Sequence, residues 1–159
     1  MNRYVDCGNG TVTDTVTGLI WVKNADCISA RSYAAANQAA ASLGEDGQCD
    51  LTDGSSAGDW RLPTKAEWEA TIARAVALGC VFGAPPPKGF PSLTNDAGAA
   101  CLIEGSTSFV GVQSNSPYWS SDSEEANPIE AWRVQLRFGF ISPGGKNPAF
   151  FVWPVRGGH

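Results

Sequence analysis

The sequence predicts an α+β domain, and three observations carry that expectation. An N-terminal segment reads as short strands around turn signals, and two stretches have helical periodicity between recognisable caps. The C-terminal fifth, Pro117 to Gly158, holds the clearest period-two alternation in the chain. The 159 residues suit a single domain, residues 1–159, with a sizeable core. Eighteen glycines and ten prolines imply many turns and long loops rather than a helical bundle.

In chain order, Asn9-Gly10 is a hairpin signal, followed by the alternating Thr11-Val12-Thr13. Asp14 to Gly18 is a second turn leading to the apolar strand Leu19-Ile20-Trp21-Val22. Ser29 to Leu43 reads as a helix: Ser29 or Ser32 can cap it, Tyr33, Ala36, Ala40 and Leu43 recur at helical spacing, and Gly44 ends it. Glu45 to Asp59 is an acidic loop. Its carboxylates (Glu45, Asp46, Asp50, Asp53 and Asp59) allow a structural calcium or simply a solvated loop, and their spacing matches no EF-hand.

A second helix starts at Thr64-x-x-Glu67, a capping box, with Trp68, Ile72 and Ala75 as its buried stripe and Gly79 as its stop. Just before it, Asp59 and Arg61 read as a structural ion pair or as turn residues. Val81 to Val112 lacks periodicity and predicts a long loop excursion. Beyond Pro117, alternation puts Trp132, Val134 and Leu136 on one side of a strand and Arg133, Gln135 and Arg137 on the other.

Composition excludes several functions. A net charge of −5 argues against nucleic acid, which needs a basic footprint, and no apolar run reaches membrane-spanning length. The only histidine is His159, so the fold has no internal histidine for a triad or a zinc site. None of the five cysteines forms a CxxC pair. The gaps Cys27 to Cys49 and Cys80 to Cys101 are alike, and two disulfides closing these loops leave Cys7 over. Such bridges belong outside the reducing cytosol, at an extracellular site or a cell or virion surface; the competing reading is five buried, reduced cysteines in a cytosolic protein, which suits so loop-rich a chain less well. Met1 runs into Asn-Arg-Tyr with no leader: a signal was removed, was never there, or belongs to a longer parent.

Four ordered motifs carry a resemblance. They are Asp14-x-x-Thr17-Gly18-Leu19-x-Trp21, Asp59-Trp60-Arg61-Leu62-Pro63-Thr64-x-x-Glu67, Tyr118-Trp119-Ser120-Ser121, and Ala131-Trp132-x-Val134 running on to Val152-x-Pro154-Val155-Arg156-Gly157. Together they resemble the C-terminal domain family of bacterial collagen-like adhesins, whose fold is C-type-lectin-like and close to the formylglycine-generating enzymes. The resemblance implies a mixed or antiparallel sheet with two helices and long loops, and paired N- and C-terminal strands. It also implies a framework of Trp21, Trp60, Trp119, Trp132 and Trp153 beneath a loop-covered face. The active-site motifs of the formylglycine-generating relatives are not visible, so the expected role is binding rather than catalysis.

A subset of this fold comprises the variable proteins of diversity-generating retroelements, in which adenine-specific copying errors rewrite the C-terminal coding region. Here the familiar framework positions Trp132, Val134, Leu136, Gly139, Lys146, Val152 and Arg156 are kept. Positions often filled by Asn, Tyr, Ser or Asp in relatives are instead Arg133, Gln135, Arg137, Phe138, Phe140, Pro148 and Phe150. Residues 117–158 are therefore the candidate variable, ligand-binding region. Arg133, Gln135, Arg137, Phe138, Phe140, Asn147 and Phe150 form its face, and Glu124, Glu125 and Asn127 its rim. Aromatic and guanidinium groups are the usual anchors of interfaces. An ordinary two-faced sheet with some exposed aromatics is the competing reading.

The expected partner is a surface protein or glycan receptor; oligomeric state is left open. Sulfated polysaccharide, bound by some relatives, is disfavoured. Between Tyr118 and Gly158 the basic residues Arg133, Arg137, Lys146 and Arg156 are matched by Asp122, Glu124, Glu125 and Glu130.

Overall fold

A computed structural model describes residues 1–158; His159, the single histidine, lies outside them. The described residues form nine strands, two α-helices and one 3-10 turn. The first sheet has the order β1 (Tyr4–Asp6), β2 (Thr11–Asp14), β3 (Leu19–Val22), β9 (Val155–Gly157). The N- and C-terminal strands thus pair, with Trp21 opposite Val155. The second sheet has the order β4 (Ile28–Arg31), β8 (Phe150–Val152), β5 (Tyr118–Ser123), β6 (Glu130–Gln135), β7 (Phe140–Gly145). Only β5 and β8 run parallel. The architecture is α+β, as expected, but its strands divide between two sheets.

Both early turns and the second helix form as the sequence indicates. In α2 (Lys65–Leu78) the Thr64 side chain accepts from the Glu67 N–H, the Glu67 carboxylate accepts from the Thr64 N–H, and Gly79 closes the helix at φ 86°. Of its buried residues Trp68, Thr71, Ile72 and Ala75, Trp68 and Ile72 join the main core and Ala75 packs against Cys80 and Cys101. The first helix departs from expectation. Ser29, Ala30 and Arg31 lie in β4, and α1 spans only Tyr33–Ala41. Ile28 and Arg31 pair with Val152 and Phe150, and a strand that completes a sheet overrides local helix signals. Ser32 stands at the N-cap without a side-chain bond, and the helix ends at Ser42, ahead of Gly44. The alanine face of α1 is used as expected: Ala36 and Ala40 sit against Ile28, Trp119 and Val152.

The main core joins the sheets through aromatic rings. Trp21 lies 4.7 Å from Trp153 and 5.1 Å from Trp68, and Tyr118 lies 5.4 Å from Trp153. Beside it, the Arg3 guanidinium grips Asp14 with two 3.0 Å bonds, both residues buried. Trp21, Trp60, Trp119 and Trp153 are the expected framework. Trp132 is the exception. It is only partly buried, with the Lys65 ammonium 4.2 Å over its ring.

Cys27–Cys49 and Cys80–Cys101 are bonded, and Cys7 is free and exposed. The acidic loop uses its carboxylates locally. Glu45 accepts from the Gly54 N–H, Asp59 from the Ser56 N–H, and Asp53 from Ser55 and Arg156. No group of three or more His, Cys, Asp or Glu is arranged to hold a metal ion among the described residues. Asp59 and Arg61 do not pair with each other; Arg61 forks onto Glu67 at 2.6 and 2.8 Å.

Candidate functional site

Strand β6 antiparallel to β7 places Gln135 opposite Phe140 and Arg133 opposite Ser142 on one face. The opposite face carries Val134 and Ile141 toward α2. The turn between the strands is built from the backbone. Phe138 and Gly139 N–H groups donate to the Gln135 carbonyl, and Gly139 adopts φ 76°. A Cβ there would meet Ser92 Oγ at 2.8 Å and Val76 Cγ2 at 2.9 Å, so position 139 requires glycine on two counts.

The excursion after α2 docks onto this turn, again through main-chain groups. The Phe82 N–H donates to the Arg137 carbonyl and the Ser92 N–H to the Leu136 carbonyl, each at 2.8 Å. Buried Ser92 anchors the excursion by donating its hydroxyl to the Cys80 carbonyl. The docking delivers Phe82 and Phe90, residues that sequence reasoning left in an unassigned loop. No periodicity marks them. The available signal was two large aromatics inside a loop closed by Cys80 and Cys101, where no core requires them.

Together the two segments form one aromatic surface. The Arg137 guanidinium sits in a notch, 4.6 Å from the Phe82 ring centre and 4.8 Å from that of Phe90. Phe82 meets Phe138 edge-on at 5.9 Å, and Phe138 stacks on Phe140 at 5.7 Å. Phe82, Phe138 and Phe140 remain 52%, 42% and 47% exposed. Contiguous exposed aromatics of this kind mark interaction sites. Beside them, a groove of about 500 Å³ opens between α2 and β7, lined by Ile72, Val76, Trp132, Phe140 and Ile141. Partly buried Trp132 forms its far wall.

Other predicted site residues lie elsewhere on the sheet. Arg133 and Phe150 meet at mid-sheet, the guanidinium 5.2 Å from the ring. Glu124, Glu125 and Asn127 occupy the β5–β6 connection, at the opposite end of β6 from the Phe138 turn. A six-residue strand spans about 20 Å, so they form no rim to the Phe138–Phe140 surface. Asn147 belongs to the β7–β8 connection at that same distant end. Lys146 fastens that end, donating to Ser123 Oγ and the Pro128 carbonyl beneath the Tyr33 ring. The predicted set thus falls at three places on the sheet, and the structure joins Arg137, Phe138 and Phe140 to Phe82 and Phe90.

Residues 10–156 match the family model of the Lcl C-terminal domain. The chain belongs to that family. Membership agrees with the four-motif resemblance and makes this an adhesin-like C-terminal module. No curated protein matches the chain. In this Lcl C-terminal domain the motif residues are mostly framework. Arg156 pairs with Asp53 at 2.9 Å over the Trp60 ring, and Arg61 ties Glu67 to the Gly157 carbonyl. The charged groups of the framework are therefore paired, whereas the aromatic surface lies outside every buried cluster.

Proposed function

We propose that the domain is a recognition module, not an enzyme, displayed outside the cell or on a virion, whose Phe82–Arg137–Phe138–Phe140 surface contacts a surface protein or glycan receptor. We further propose that its outward C-terminal positions are diversified by a retroelement. The observation that carries this reading is how the β6–β7 turn is secured. Main-chain bonds to Phe82 and Ser92, together with Gly139, hold it in place, while the side chains of Arg137, Phe138 and Phe140 contribute to no buried cluster. A position fixed by its backbone can change its side chain without unfolding the domain, which is what rewriting a codon demands.

Two disulfides support an oxidising location, and the net charge of −5 disfavours nucleic acid. No helix among the described residues is long and apolar enough to cross a membrane. Cys7, the cysteine outside both bridges, is exposed just after β1 and bonded to Thr13, with no matched catalytic partner beside it among the described residues.

The test is deep sequencing of the DNA encoding Tyr118 to Arg156, with its flanks, across a source population. Substitutions confined to adenine-templated codons at outward positions, beside a near-duplicate template, are the expected result. An invariant region without a template would overturn diversification and leave a fixed adhesin or structural surface subunit.

A further inference from the structure

Three arginines that hold the fold together each have a carboxylate. Arg3 has Asp14, Arg61 has Glu67 and Arg156 has Asp53. Arg137 has none among the described residues, and its side chain donates no hydrogen bond to the protein. Arg31, Arg74 and Arg133 are also without a carboxylate. Arg133 meets one ring, Phe150, at 5.2 Å and lies across Gly144, whereas Arg137 alone is held between two rings, Phe82 and Phe90, at the exposed turn. The rings limit the rotamers of the long side chain and leave its planar fork of N–H donors unspent. Such a fork matches a carboxylate in two parallel bonds, and little entropy remains to be lost when it binds.

The surroundings narrow the ligand further. A buried sugar ring needs a fixed polar partner for each hydroxyl. The side chains around Arg137 are the rings of Phe82, Phe90, Phe138 and Phe140, which supply none. The nearest polar side chains are Gln135, across from Phe140, and Lys65 and Glu69 in the adjoining groove, which are paired with each other at 3.3 Å. A peptide side chain requires no such partners. β7 is the last strand of its sheet, so an extended peptide also finds an open main-chain edge at Phe140–Ser142, before Pro143 removes a donor.

We propose that Arg137 is a carboxylate-binding group and that this face takes an acidic segment of a protein partner, an Asp or Glu set beside an apolar side chain that lands on Phe138 and Phe140. This rests on the recognition reading above and names the ligand chemistry for it.

The experiment pans a displayed random-peptide library against the wild-type domain, then measures binding of the enriched synthetic peptide. Enriched sequences are expected to pair an acid with an aromatic or aliphatic residue. Replacing that acid by its amide is expected to weaken binding about tenfold or more, as is Arg137→Lys, which keeps the charge but loses the fork. The amide change leaves the protein untouched, so it reads the interaction even if a variant domain folds poorly. Failure to enrich acidic sequences, or indifference to both changes, overturns the proposal. If Phe140→Ala abolishes peptide capture while Arg137→Lys and the amide do not, the recognition face stands and the carboxylate role falls. If Phe140→Ala is also silent, the face itself falls. Binding of a uronic-acid oligosaccharide with no peptide enriched would overturn the protein partner.

Discussion

The guanidinium of Arg133 lies across the backbone of Gly144: a Cβ built at position 144 would fall 1.6 Å from Arg133 Nη1. Gly144 is extended, so the cost of a side chain there comes from the neighbour and not from its own φ, and that neighbour is the end of a flexible side chain. Gly144→Ala is expected to swing Arg133 off Phe150 and cost only what that displaced contact contributes. In an Arg133→Ala background the same change should cost much less, a coupling on the order of 1 kcal/mol. Denaturant melts of the four proteins of the cycle check it, and additive effects would refute it.

Phe140→Ala and Arg137→Ala should abolish ligand capture while changing stability by no more than about 0.5 kcal/mol, because both side chains are surface groups outside the core. Thermal melts beside a capture assay read the two effects separately. A large loss of stability would make these residues structural and remove them from the recognition face.

Arg3 and Asp14 form a buried, doubly bonded pair that also receives Thr17 Oγ1 and the Val16 N–H. Removing one partner strands a charge in the core. Arg3→Ala is expected to cost about 3–5 kcal/mol by equilibrium unfolding, far more than Lys23→Ala at the exposed pair with Asp6.

Acid should weaken the domain through two carboxyls. Burial pushes Asp53 up, but bonds from Ser55 and Arg156 outweigh it and hold the group below its ordinary value. Burial likewise raises Glu67, and its bonds with Arg61 and Thr64 lower it further than burial lifts it. A carboxyl with a depressed folded value contributes stability above its unfolded value, roughly pH 4, and loses that contribution as the pH falls through the folded one. Stability measured from pH 6 downward should therefore decline below about pH 4, and less steeply in a double variant with Asp53→Asn and Glu67→Gln.

Replacing Cys80 and Cys101 with serine removes the cross-link on a sequence separation of 21 residues. The loss should be about 3 kcal/mol if loop entropy dominates. Amide exchange should rise at Phe82 and Ser92, whose N–H groups hold the excursion to the β6–β7 turn.

How much of this was legible depended on how local the signal is. The Thr64–Glu67 box, the Gly79 stop, the Asn9-Gly10 turn and both disulfide spacings act within one element or loop, and the sequence carried them. β4 could not be seen, because Ile28 and Arg31 become a strand only by pairing with β8, far along the chain. Alternation put Trp132 on the same side as Val134 but said nothing of depth, and α2 covers that ring only in part. The misplaced rim is different in kind: an antiparallel reading already puts Glu124–Asn127 and Phe138 at opposite ends of β6. For Phe82 and Phe90 the sequence held only their presence as large aromatics in a disulfide-closed loop; main-chain docking that ignores side-chain identity leaves no pattern that says where they land.

That docking divides the recognition surface by inheritance. Phe138 and Phe140 lie in the C-terminal coding region; Phe82 and Phe90 come from upstream of it. Under retroelement copying, every member of the repertoire would share one unchanging wall, a pair of phenylalanines facing position 137, while the opposite wall is drawn afresh. Variants with a cation at 137 would inherit a ready-made cradle, and variants with an aliphatic residue would inherit a greasy shelf. The constant wall would narrow the partners such a library can reach before any selection acts.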